Sequence, residues 1–281
     1  MPELPEVETV KETLKQLVIG KTIEGLIIHW PKLIKHPDDQ QEFKALLKGE
    51  TIRDIKRRGK FLCIYLDKVV LISHLRMEGR YSYAPNPLTE PIDVHTHVIF
   101  VFTDGSELRY RDVRKFGTMH VFKKGEEFNV PPLLHLGPEP LSEAFHLDVL
   151  QNKLSKTSRT IKAALLDQTV VVGLGNIYVD EALYRARIHP ETIANTLSRQ
   201  KLVRLVAAIK ETLSEAVTMG GSTVRTYLNG QGRMGMFQQK LYVYGREGEP
   251  CKTCGHPITK IKLGGRGTHF CSRCQRRKRH D

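Results

Sequence analysis

The sequence predicts an α+β protein with more than one domain: an N-terminal helix with a β-sandwich, then a helical domain, then a small C-terminal β-hairpin module. Short β-rich runs separated by turn signals fill most of the first 123 residues, a helical period follows a proline-rich stretch near residue 130, and two Cys-x-x-Cys pairs lie close to the C-terminus. Many short strands with turn signals are typical of a sandwich rather than of alternating β-α-β units. A length of 281 residues allows roughly two domains of ordinary size.

The first domain is predicted to comprise residues 1–129 and to begin with one amphipathic helix from residue 2 to about residue 19. Apolar residues recur at helical spacing from Val7 to Val18, and Gly20 follows as a stop. Strands are predicted at 22–30, 51–58, 61–66, 69–75, 97–103, 107–111 and 119–123, with a short helix at 41–47. Asp104-Gly105 between two of these strands is a strong hairpin signal.

The rest of the chain is predicted as a linker at 130–141, a helical domain at 142–235 and a hairpin module with a basic tail at 236–281. Helices are predicted at 142–154, 158–166, 176–185 and 198–219. The last of them carries an apolar stripe that includes Leu205, Ile209 and Leu213. A Gly-rich loop at 220–235 then leads into the cysteine module.

The charge balance favours a polyanionic partner. The chain has 44 Lys and Arg against 31 Asp and Glu, a formal net charge of +13, which suits nucleic acid or an anionic membrane surface. No apolar run approaches the ~18 residues that a bilayer span needs, and the acidic start does not resemble a signal peptide. We therefore expect a soluble cytoplasmic protein that binds nucleic acid and no membrane.

Four of the five cysteines form two pairs, Cys251-x-x-Cys254 and Cys271-x-x-Cys274. In a reducing compartment this spacing predicts one tetrahedral Cys₄ zinc site, and a disulfide pairing is the less favoured alternative. Four thiolates leave the metal no open position, so the zinc is expected to be structural. The fifth, Cys63, lies in an apolar run and is expected to be a buried core residue.

Between the cysteine pairs, Gly264-Gly265 predicts a hairpin turn that presents Arg266. An Arg on a hairpin stiffened by a metal suits a bidentate grip on phosphate, and a plain solvated charge is the alternative. Asn176 follows a glycine turn at the start of a predicted helix, where backbone amides form an anion site.

The first residues carry a possible nucleophile. If Met1 is removed, Pro2 presents a secondary amine, and terminal amines titrate near pH 8, well below lysine. Such an amine attacks an aldehyde-level carbon to give an iminium, and the neighbouring Glu3, with Glu6 one turn on, suits general acid–base chemistry on a sugar. Pro and Glu are also ordinary residues at the start of a helix, and the local pattern alone favours that interpretation.

Further candidates have ordinary interpretations as well. Lys60 lies at a strand end within reach of a phosphate, although most such lysines are solvated. Met77, Arg114 and Phe116 fall in loops at strand ends, where large apolar side chains are unexpected. They are either packing residues or a wedge that enters a base stack while Arg fills the space of an extruded base.

Together these residues resemble one family, the bacterial formamidopyrimidine-DNA glycosylases, over essentially the whole chain. The shared motifs stand in the family's order: MPELPEVE at the start, RRGKF at 57–61, HLRMEGR at 74–80, TDGSELRYRDVRKFG at 103–117, LDQTVVVGLGNIYVDEALYRA at 166–186, GGSTVRTY at 220–227 and GRGTHFCSRC at 265–274. The resemblance implies a β-sandwich, a helix-two-turn-helix domain and a zinc hairpin, with DNA held between the two halves.

The resemblance also implies the activity and the partner. Pro2 would attack C1′ of a damaged nucleotide while Glu3 protonates the sugar ring, and a Schiff base followed by β- and δ-elimination would leave a one-nucleotide gap. The substrate would be double-stranded DNA with an oxidised purine, 8-oxoguanine or a formamidopyrimidine, opposite cytosine. The enzyme would act as a monomer on the bacterial nucleoid.

The resemblance gives further residues a role. Lys60, Asn176 and Arg266 would grip phosphates around the flipped nucleotide, Lys60 and Arg266 within the catalytic group. The other DNA contacts would be Met77, Arg114 and Phe116, which fill the void in the helix with Arg114 facing the orphaned cytosine, together with His74, His95 and Lys260. The lesion pocket would be lined by Glu6, Glu78, Ser222, Thr223, Val224, Arg225, Thr226 and Tyr227.

Two other functions compete. A relative of endonuclease VIII would remove oxidised pyrimidines by the same amine chemistry, but that branch usually has a small residue where Leu4 stands and lacks the Met77, Arg114 and Phe116 arrangement. A non-catalytic DNA-binding protein of the same fold would result if Met1 were retained, because an acylated Pro2 nitrogen is an amide. A small-molecule tautomerase with a terminal proline would account neither for the charge of +13 nor for the cysteine module.

Overall fold

The computed structural model of the chain describes residues 1–222 and 235–277, which divide into two compact units. The first unit comprises 1–135 with the described residues at 220–222 and 235–236, and the second comprises 136–219 and 237–277. The first unit holds two α-helices and nine strands, and the second holds four α-helices and one hairpin among the residues described. The α+β class predicted from the sequence is therefore confirmed.

Helix α1 (Leu4–Val18) opens the first unit, with Glu3 as its N-cap and Pro5 in its first turn. Its apolar stripe is buried, and the Glu3 carbonyl accepts the first helical hydrogen bond, from Val7 N at 3.1 Å. The helix starts two residues later than the predicted residue 2, because Glu3 has extended backbone angles and serves as the cap. Pro2 and Glu3 thus lie immediately before the helix.

Two sheets form the sandwich. The first has the strand order β1 (Ile23–Ile28), β7 (Thr96–Phe102), β8 (Glu107–Arg111), β6 (Arg80–Ala84). The second has the order β2 (Ile34–His36), β9 (Thr118–Lys123), β5 (Val69–His74), β4 (Phe61–Tyr65), β3 (Asp54–Arg58). A continuous apolar core joins residues of both sheets with residues of α1 and of α2 (Gln40–Leu47).

The hairpin predicted at Asp104-Gly105 connects β7 and β8. Phe102 N donates to Ser106 O at 2.9 Å, and Asp104 Oδ1 accepts from Ser106 N at 3.0 Å. Strands β2 and β6 were not predicted. Strand β2 has only three residues, too short for a periodic signal, and β6 alternates Arg80, Ser82 and Ala84 with tyrosines rather than with aliphatic residues.

The second unit begins with α3 (Leu147–Leu154) and α4 (Ile161–Leu166), and both start later than the sequence predicted. Ser142 lies in a turn in which its own N donates to Glu139 O at 3.1 Å, and Phe145 fills a core position instead of a helical one. Thr160 caps α4 with its side-chain oxygen. The prediction of a helix from residue 142 was therefore wrong, because Ser142 forms a turn with Glu139 and the helix begins only at Leu147.

Helices α4 and α5 (Asn176–Arg185) are joined by turns at 167–175, the helix-two-turn-helix arrangement. The Gln168 side chain fixes this connection, since it donates to Leu166 O and Leu174 O at 3.0 Å and accepts from Gly173 N at 2.9 Å. The bounds of α5 are those predicted from the sequence. The connection holds the start of α5, and with it Asn176, in a defined position.

The long helix α6 (Arg199–Thr218) packs an apolar face that includes Leu205, Ile209 and Leu213 into the second unit. Its other face is polar, and among the described helices none is long and apolar enough to cross a bilayer. The unit ends in the antiparallel hairpin of β10 (Thr259–Leu263) and β11 (Arg266–Phe270), as the turn at Gly264-Gly265 predicts.

Candidate functional site

The residues directly after Met1 are buried although two of them are acidic, whereas Met1 itself is 44% exposed. Pro2 is buried, and Glu3 and Glu6 are only 2% and 4% exposed. Glu6 Oε2 accepts from Glu3 N at 2.9 Å, which is half of a capping box and fixes the backbone beside Pro2. Glu3 and Glu6 therefore cap the helix and also lie beside the possible nucleophile. The interpretation as a helix start and the interpretation as a catalytic site are compatible.

The pKa of the Met1 terminal amine indicates which charged groups surround the chain terminus. Burial lowers its pKa below the ordinary value, and the charge of Lys60 acts in the same direction. The carboxylates of Glu3, Glu6 and Glu78 oppose that shift. One cation and three carboxyls thus lie within electrostatic reach of an amine at the chain terminus, and burial favours its neutral, nucleophilic form.

Glu6 also holds the end of the chain segment that follows α6. Its Oε1 accepts from Ser222 N at 2.7 Å and from Ser222 Oγ at 3.4 Å. Ser222 is 5% exposed and lies in the same unit as α1. The other predicted members of the lesion pocket on this segment, Thr223, Val224, Arg225, Thr226 and Tyr227, lie outside the described residues.

Lys60 lies in the turn between β3 and β4 and is 5% exposed. The turn is fixed by Arg57, whose guanidinium donates to Gly59 O at 3.0 Å and, through Nε, to Glu8 Oε2 on α1 at 2.7 Å. Such a held and largely buried lysine differs from the solvated lysine of the ordinary interpretation.

Met77, Arg114 and Phe116 lie in two corner loops of the sandwich, 75–79 and 112–117, each of which runs from one sheet to the other. Met77 is 38% exposed and Phe116 is 51% exposed, and both line a groove of about 610 Å³. The Arg114 guanidinium lies 4.7 Å from the centre of the Phe116 ring. Large apolar side chains presented together in a groove are not core residues, so the ordinary packing interpretation fails for them.

Sequence reasoning missed the basic rim of this groove. Lys32, Lys35, Arg76 and Lys115 line it and are exposed. Lys115 Nζ lies 4.1 Å from the centre of the Trp30 ring, a cation–π contact. These cations are distributed over separate parts of the chain, so no local run of charge marks them.

Two predicted DNA contacts, His74 and His95, have structural neighbours. His74 is 7% exposed, and burial, assisted by the charges of Arg76 and Lys60, lowers its pKa to about 3. Its Nδ1 accepts from Arg76 N at 2.9 Å, so the neutral ring holds the start of the corner loop. His95 is partly buried, and its carbonyl accepts from Asp112 N at 3.0 Å. A role for either in DNA contact stays a prediction.

In the second unit, Asn176 and the Arg266 hairpin are connected directly. Asn176 Nδ2 donates to Gly267 O at 2.9 Å, next to the exposed Arg266 at the hairpin tip. The Asn176 amide carries a second hydrogen, and it stands at the N-terminus of α5. Lys260, on the facing strand, is paired with the exposed Glu247 at 3.1 Å.

A buried ion pair supports the same hairpin and was not predicted. Lys162 Nζ on α4 donates to Asp180 Oδ1 on α5 at 2.7 Å and to Gly267 O at 3.1 Å. Asp180 Oδ2 accepts from His269 N of β11 at 2.8 Å. With side chains 1% and 0% exposed, Lys162 and Asp180 tie two helices to the strand that begins at Arg266.

The four cysteines predicted as metal ligands come together. Their sulfur atoms all lie within 4.8 Å of one another, with 3.9 Å between Cys251 and Cys274 and 3.5 Å between Cys254 and Cys271. A tetrahedron with Zn–S bonds of about 2.3 Å has sulfur–sulfur edges of roughly 3.8 Å, so the set fits one zinc ion. All four positions of that metal are filled by protein, and the site is therefore structural. Cys63 is 1% exposed in the sandwich core, as expected.

Loss of zinc is expected to unfold the hairpin module. Purified protein should contain one zinc per chain, and Cys254→Ala should lose it and expose 248–277 to limited proteolysis, because small Cys₄ modules have little other core. Cys63→Ala is the matched control and should keep one zinc, measured by atomic emission. Full zinc content in Cys254→Ala would contradict the assignment.

Comparison with known proteins agrees with this arrangement along the chain. The formamidopyrimidine-DNA glycosylase N-terminal domain matches residues 1–119, and the H2TH domain of the same enzymes matches residues 136–228. A zinc finger found in FPG and IleRS matches residues 248–277. The three models thus follow the order of sandwich, helical domain and zinc hairpin.

Individual relatives agree over their whole length. A formamidopyrimidine-DNA glycosylase of Cytobacillus firmus is 62% identical over 275 residues, which are 98% of this chain and 100% of that protein. The Lactococcus lactis Fpg, solved in complex with DNA containing an abasic site, superposes with a TM-score of 0.91 at 43% identity and covers 98% of this chain and 100% of its own. A mutant of that protein bound to DNA containing Fapy-dG gives the same values. The chain therefore belongs to the formamidopyrimidine-DNA glycosylase family, whose members are DNA glycosylases with AP lyase activity.

Proposed function

We propose that this chain excises oxidised purines from duplex DNA through a covalent intermediate on Pro2. After Met1 is removed, the Pro2 nitrogen attacks C1′, the bond from C1′ to the base breaks, and the base leaves with the bonding electrons and takes up a proton. Glu3 protonates O4′, the sugar ring opens, and an iminium links Pro2 to C1′.

The strand breaks follow from that iminium. It acidifies the C2′ hydrogen, whose loss expels the 3′ phosphate by β-elimination. Continued elimination expels the 5′ phosphate, and hydrolysis of the remaining iminium frees Pro2. One nucleotide is removed, no oxidant is needed and the zinc takes no part, because its ligands leave no open position.

The pocket around the terminal amine is the observation that carries this proposal. Glu3 lies beside Pro2, and the amine of the preceding Met1 is partly desolvated, with Lys60, Glu6 and Glu78 in electrostatic reach. We expect the Pro2 amine to have the same surroundings once Met1 is removed. A neutral amine next to a carboxyl that can deliver a proton is the minimum set for this chemistry. With Met1 in place the Pro2 nitrogen is an amide without a nucleophilic lone pair, so removal of Met1 is a requirement of the mechanism.

The remaining site residues are proposed to hold the substrate. Lys60, Asn176 and Arg266 bind phosphates around the extruded nucleotide, and Met77, Arg114 and Phe116 fill the space it leaves. His74, His95 and Lys260 are assigned to the DNA interface, and Glu6, Glu78 and the segment from Ser222 to Tyr227 to the lesion pocket. The exposure of Met77 and Phe116 in one groove with a basic rim supports the wedge assignment.

The relatives' bound DNA supports the substrate class. Their complexes contain an abasic site and Fapy-dG, respectively. We extend this to 8-oxoguanine, to cytosine as the opposite base, to action as a monomer and to work on chromosomal DNA in the bacterial cytoplasm. The formal charge of +13 suits such a polyanionic partner.

Borohydride trapping tests the proposal. Protein freed of Met1 is mixed with a duplex that carries 8-oxoguanine opposite cytosine, and the reduced adduct is mapped by mass spectrometry. An adduct on Pro2 is expected, and Pro2→Gly should lose at least about tenfold in both excision and trapping, because a primary amine on a flexible residue replaces the ring nitrogen. Protein that retains Met1 is the matched control and should give no adduct on Pro2, whose nitrogen is then an amide.

Three results would contradict the proposal. An adduct on a lysine in the wild-type protein would remove Pro2 from the mechanism. Trapping only on an oxidised-pyrimidine duplex would favour the endonuclease VIII-like specificity. No trapping on either duplex would leave a DNA-binding protein without catalysis.

Arg266→Ala should weaken DNA binding and lower the slope of log K against log salt by about one phosphate contact. Arg266 is exposed at the tip of a hairpin fixed through Gly267, so the substitution removes a charge without disturbing a core. Arg199→Ala removes the same charge from an exposed position on α6 and should leave the slope unaltered. The slopes are measured by fluorescence anisotropy. If wild type and Arg266→Ala give the same slope, Arg266 is a solvated charge that contacts no phosphate.

A further inference from the structure

The two corner loops that carry Met77, Arg114 and Phe116 meet over one buried side chain. Strand β5 ends and β9 begins at the paired residues His74 and Thr118, while β6 begins and β8 ends at the paired residues Arg80 and Arg111. Both loops therefore cross between the sheets at the same corner of the sandwich. Tyr110 of β8, one residue before Arg111 and 0% exposed, lies beneath them.

The contact is made by the phenolic oxygen of Tyr110 and by the last residue of each loop. A Cβ added to Gly117 would lie 1.7 Å from Tyr110 Oη, and a Cβ added to Gly79 would lie 2.2 Å from the same atom. The φ angle of neither glycine lies in the left-handed region, so the requirement for glycine here is one of space. A single oxygen thus occupies the positions that side chains on both loops would need.

Each loop is fixed internally by other contacts. In the loop 112–117, Asp112 is 0% exposed and accepts from Arg114 N at 3.1 Å and from Gly117 N at 2.8 Å. In the loop 75–79, Gly79 N donates to Leu75 O at 2.9 Å, in addition to the contact of His74 with Arg76 N. Each loop is therefore held in shape by its own hydrogen bonds, and both loops also contact Tyr110.

We propose that Tyr110 is a positioning residue that sets the spacing between Met77 on one loop and Arg114 and Phe116 on the other. It touches no DNA, and it acts by keeping the two parts of the wedge at the separation that enters a base stack. This inference rests on the wedge role in the proposed function. It predicts that the Tyr110 hydroxyl matters for opening a paired duplex and not for the covalent steps.

The melting temperatures of single and double variants test the contact between Tyr110 and the two glycines in the absence of DNA. Gly117→Ala should lower the melting temperature by on the order of 5 °C, and by clearly less in a Tyr110→Phe background, because the nearest obstacle to its Cβ is then a ring carbon at 2.8 Å instead of the oxygen. Gly79→Ala is the control. Its Cβ would also lie 2.6 Å from the backbone oxygen of Leu75, so Tyr110→Phe should rescue it little.

A kinetic comparison tests the role. Tyr110→Phe should slow single-turnover excision of 8-oxoguanine by about fivefold, and slow to a similar degree the fluorescence rise of a 2-aminopurine placed beside the lesion, since small misplacements are costly. Trapping at a preformed abasic site, where no base must be extruded, should stay within about twofold. In a Met77→Ala background Tyr110→Phe should add no further loss to excision.

Tyr81→Phe is the matched variant, because Tyr81 is a buried neighbour whose ring centre lies 5.1 Å from that of Tyr110 and whose hydroxyl donates to Ser73 Oγ, not to a corner loop. It should leave the ratio of excision to trapping unchanged. The same ratio in Tyr110→Phe as in wild type, or equal cost of Gly117→Ala in both backgrounds, would overturn the inference. Absence of any trapping by the wild type would instead reject the proposed function, and the melting temperatures would still report on Tyr110.

Discussion

Glu3→Gln is expected to bind lesion DNA as the wild type does and to lose base excision by about 100- to 10,000-fold, the range that general acid catalysis supplies. Glutamine keeps the size of the side chain but cannot deliver a proton to the sugar ring. The backbone at this position is held by Glu6, whose carboxylate accepts from Glu3 N, so the cap of α1 should survive.

The measurement has two arms. Affinity is determined on a duplex with a stable abasic analogue, and excision is determined under single-turnover conditions on 8-oxoguanine opposite cytosine. Glu12→Gln removes the same charge from α1 at a position that is 57% exposed, where Glu12 is paired with Lys11, and it should retain excision. Wild-type excision by Glu3→Gln would exclude Glu3 from the mechanism.

The pH dependence of borohydride trapping should distinguish the role of the Glu3 carboxylate from that of the terminal amine as well. Before Met1 is removed, the Glu3 carboxylate opposes the lowering of the pKa of the Met1 amine by burial. We expect the same carboxylate to raise the pKa of the Pro2 amine, so Glu3→Gln should lower that pKa, and the residual trapping at a preformed abasic site should extend to lower pH.

The parts of the molecule that were predictable from sequence are those in which neighbouring residues carry the signal. Cys251-x-x-Cys254, the turn at Asp104-Gly105 and the helix at Asn176 each depend on a few consecutive positions and a known local geometry. Ser142 shows the limit of such reasoning, because serine is common both at helix starts and in turns, and here it forms a turn close to the buried Phe145.

The supports of the site were not predictable for the same reason. Lys162 has no local feature that distinguishes it from a solvated lysine, and its partners lie 18 and 105 residues away in the chain. Tyr110 resembles any alternating strand residue, and its relation to Gly79 and Gly117 appears only when two loops fold over it. Candidate chemical groups can be found in a sequence, whereas the residues that hold them depend on long-range contacts.

The buried pair gives the largest expected effect on stability. Lys162→Met should lower the free energy of unfolding of the zinc-replete protein by roughly 3–5 kcal/mol, because it leaves the Asp180 carboxylate, at 0% exposure, without its lysine partner. Arg199→Ala, which breaks the pair with Asp148 between side chains 64% and 72% exposed, should change it by less than about 0.5 kcal/mol. Urea unfolding with zinc present measures both.

The double variant Lys162→Met with Asp180→Leu distinguishes two effects: loss of the attraction between Lys162 and Asp180, and the cost of leaving the Asp180 charge buried without its lysine partner. It should be more stable than Lys162→Met alone, since removing both charges avoids the desolvation penalty, although His269 N loses its acceptor.

In both variants Gly267 O keeps its hydrogen bond from Asn176 but loses the one from Lys162. The slope of log K for DNA binding against log salt should therefore shift toward the slope of Arg266→Ala. A double variant less stable than the single one would mean that Asp180 is held mainly by His269 N, and an unaltered salt slope would mean that the Arg266 hairpin keeps its position without Lys162.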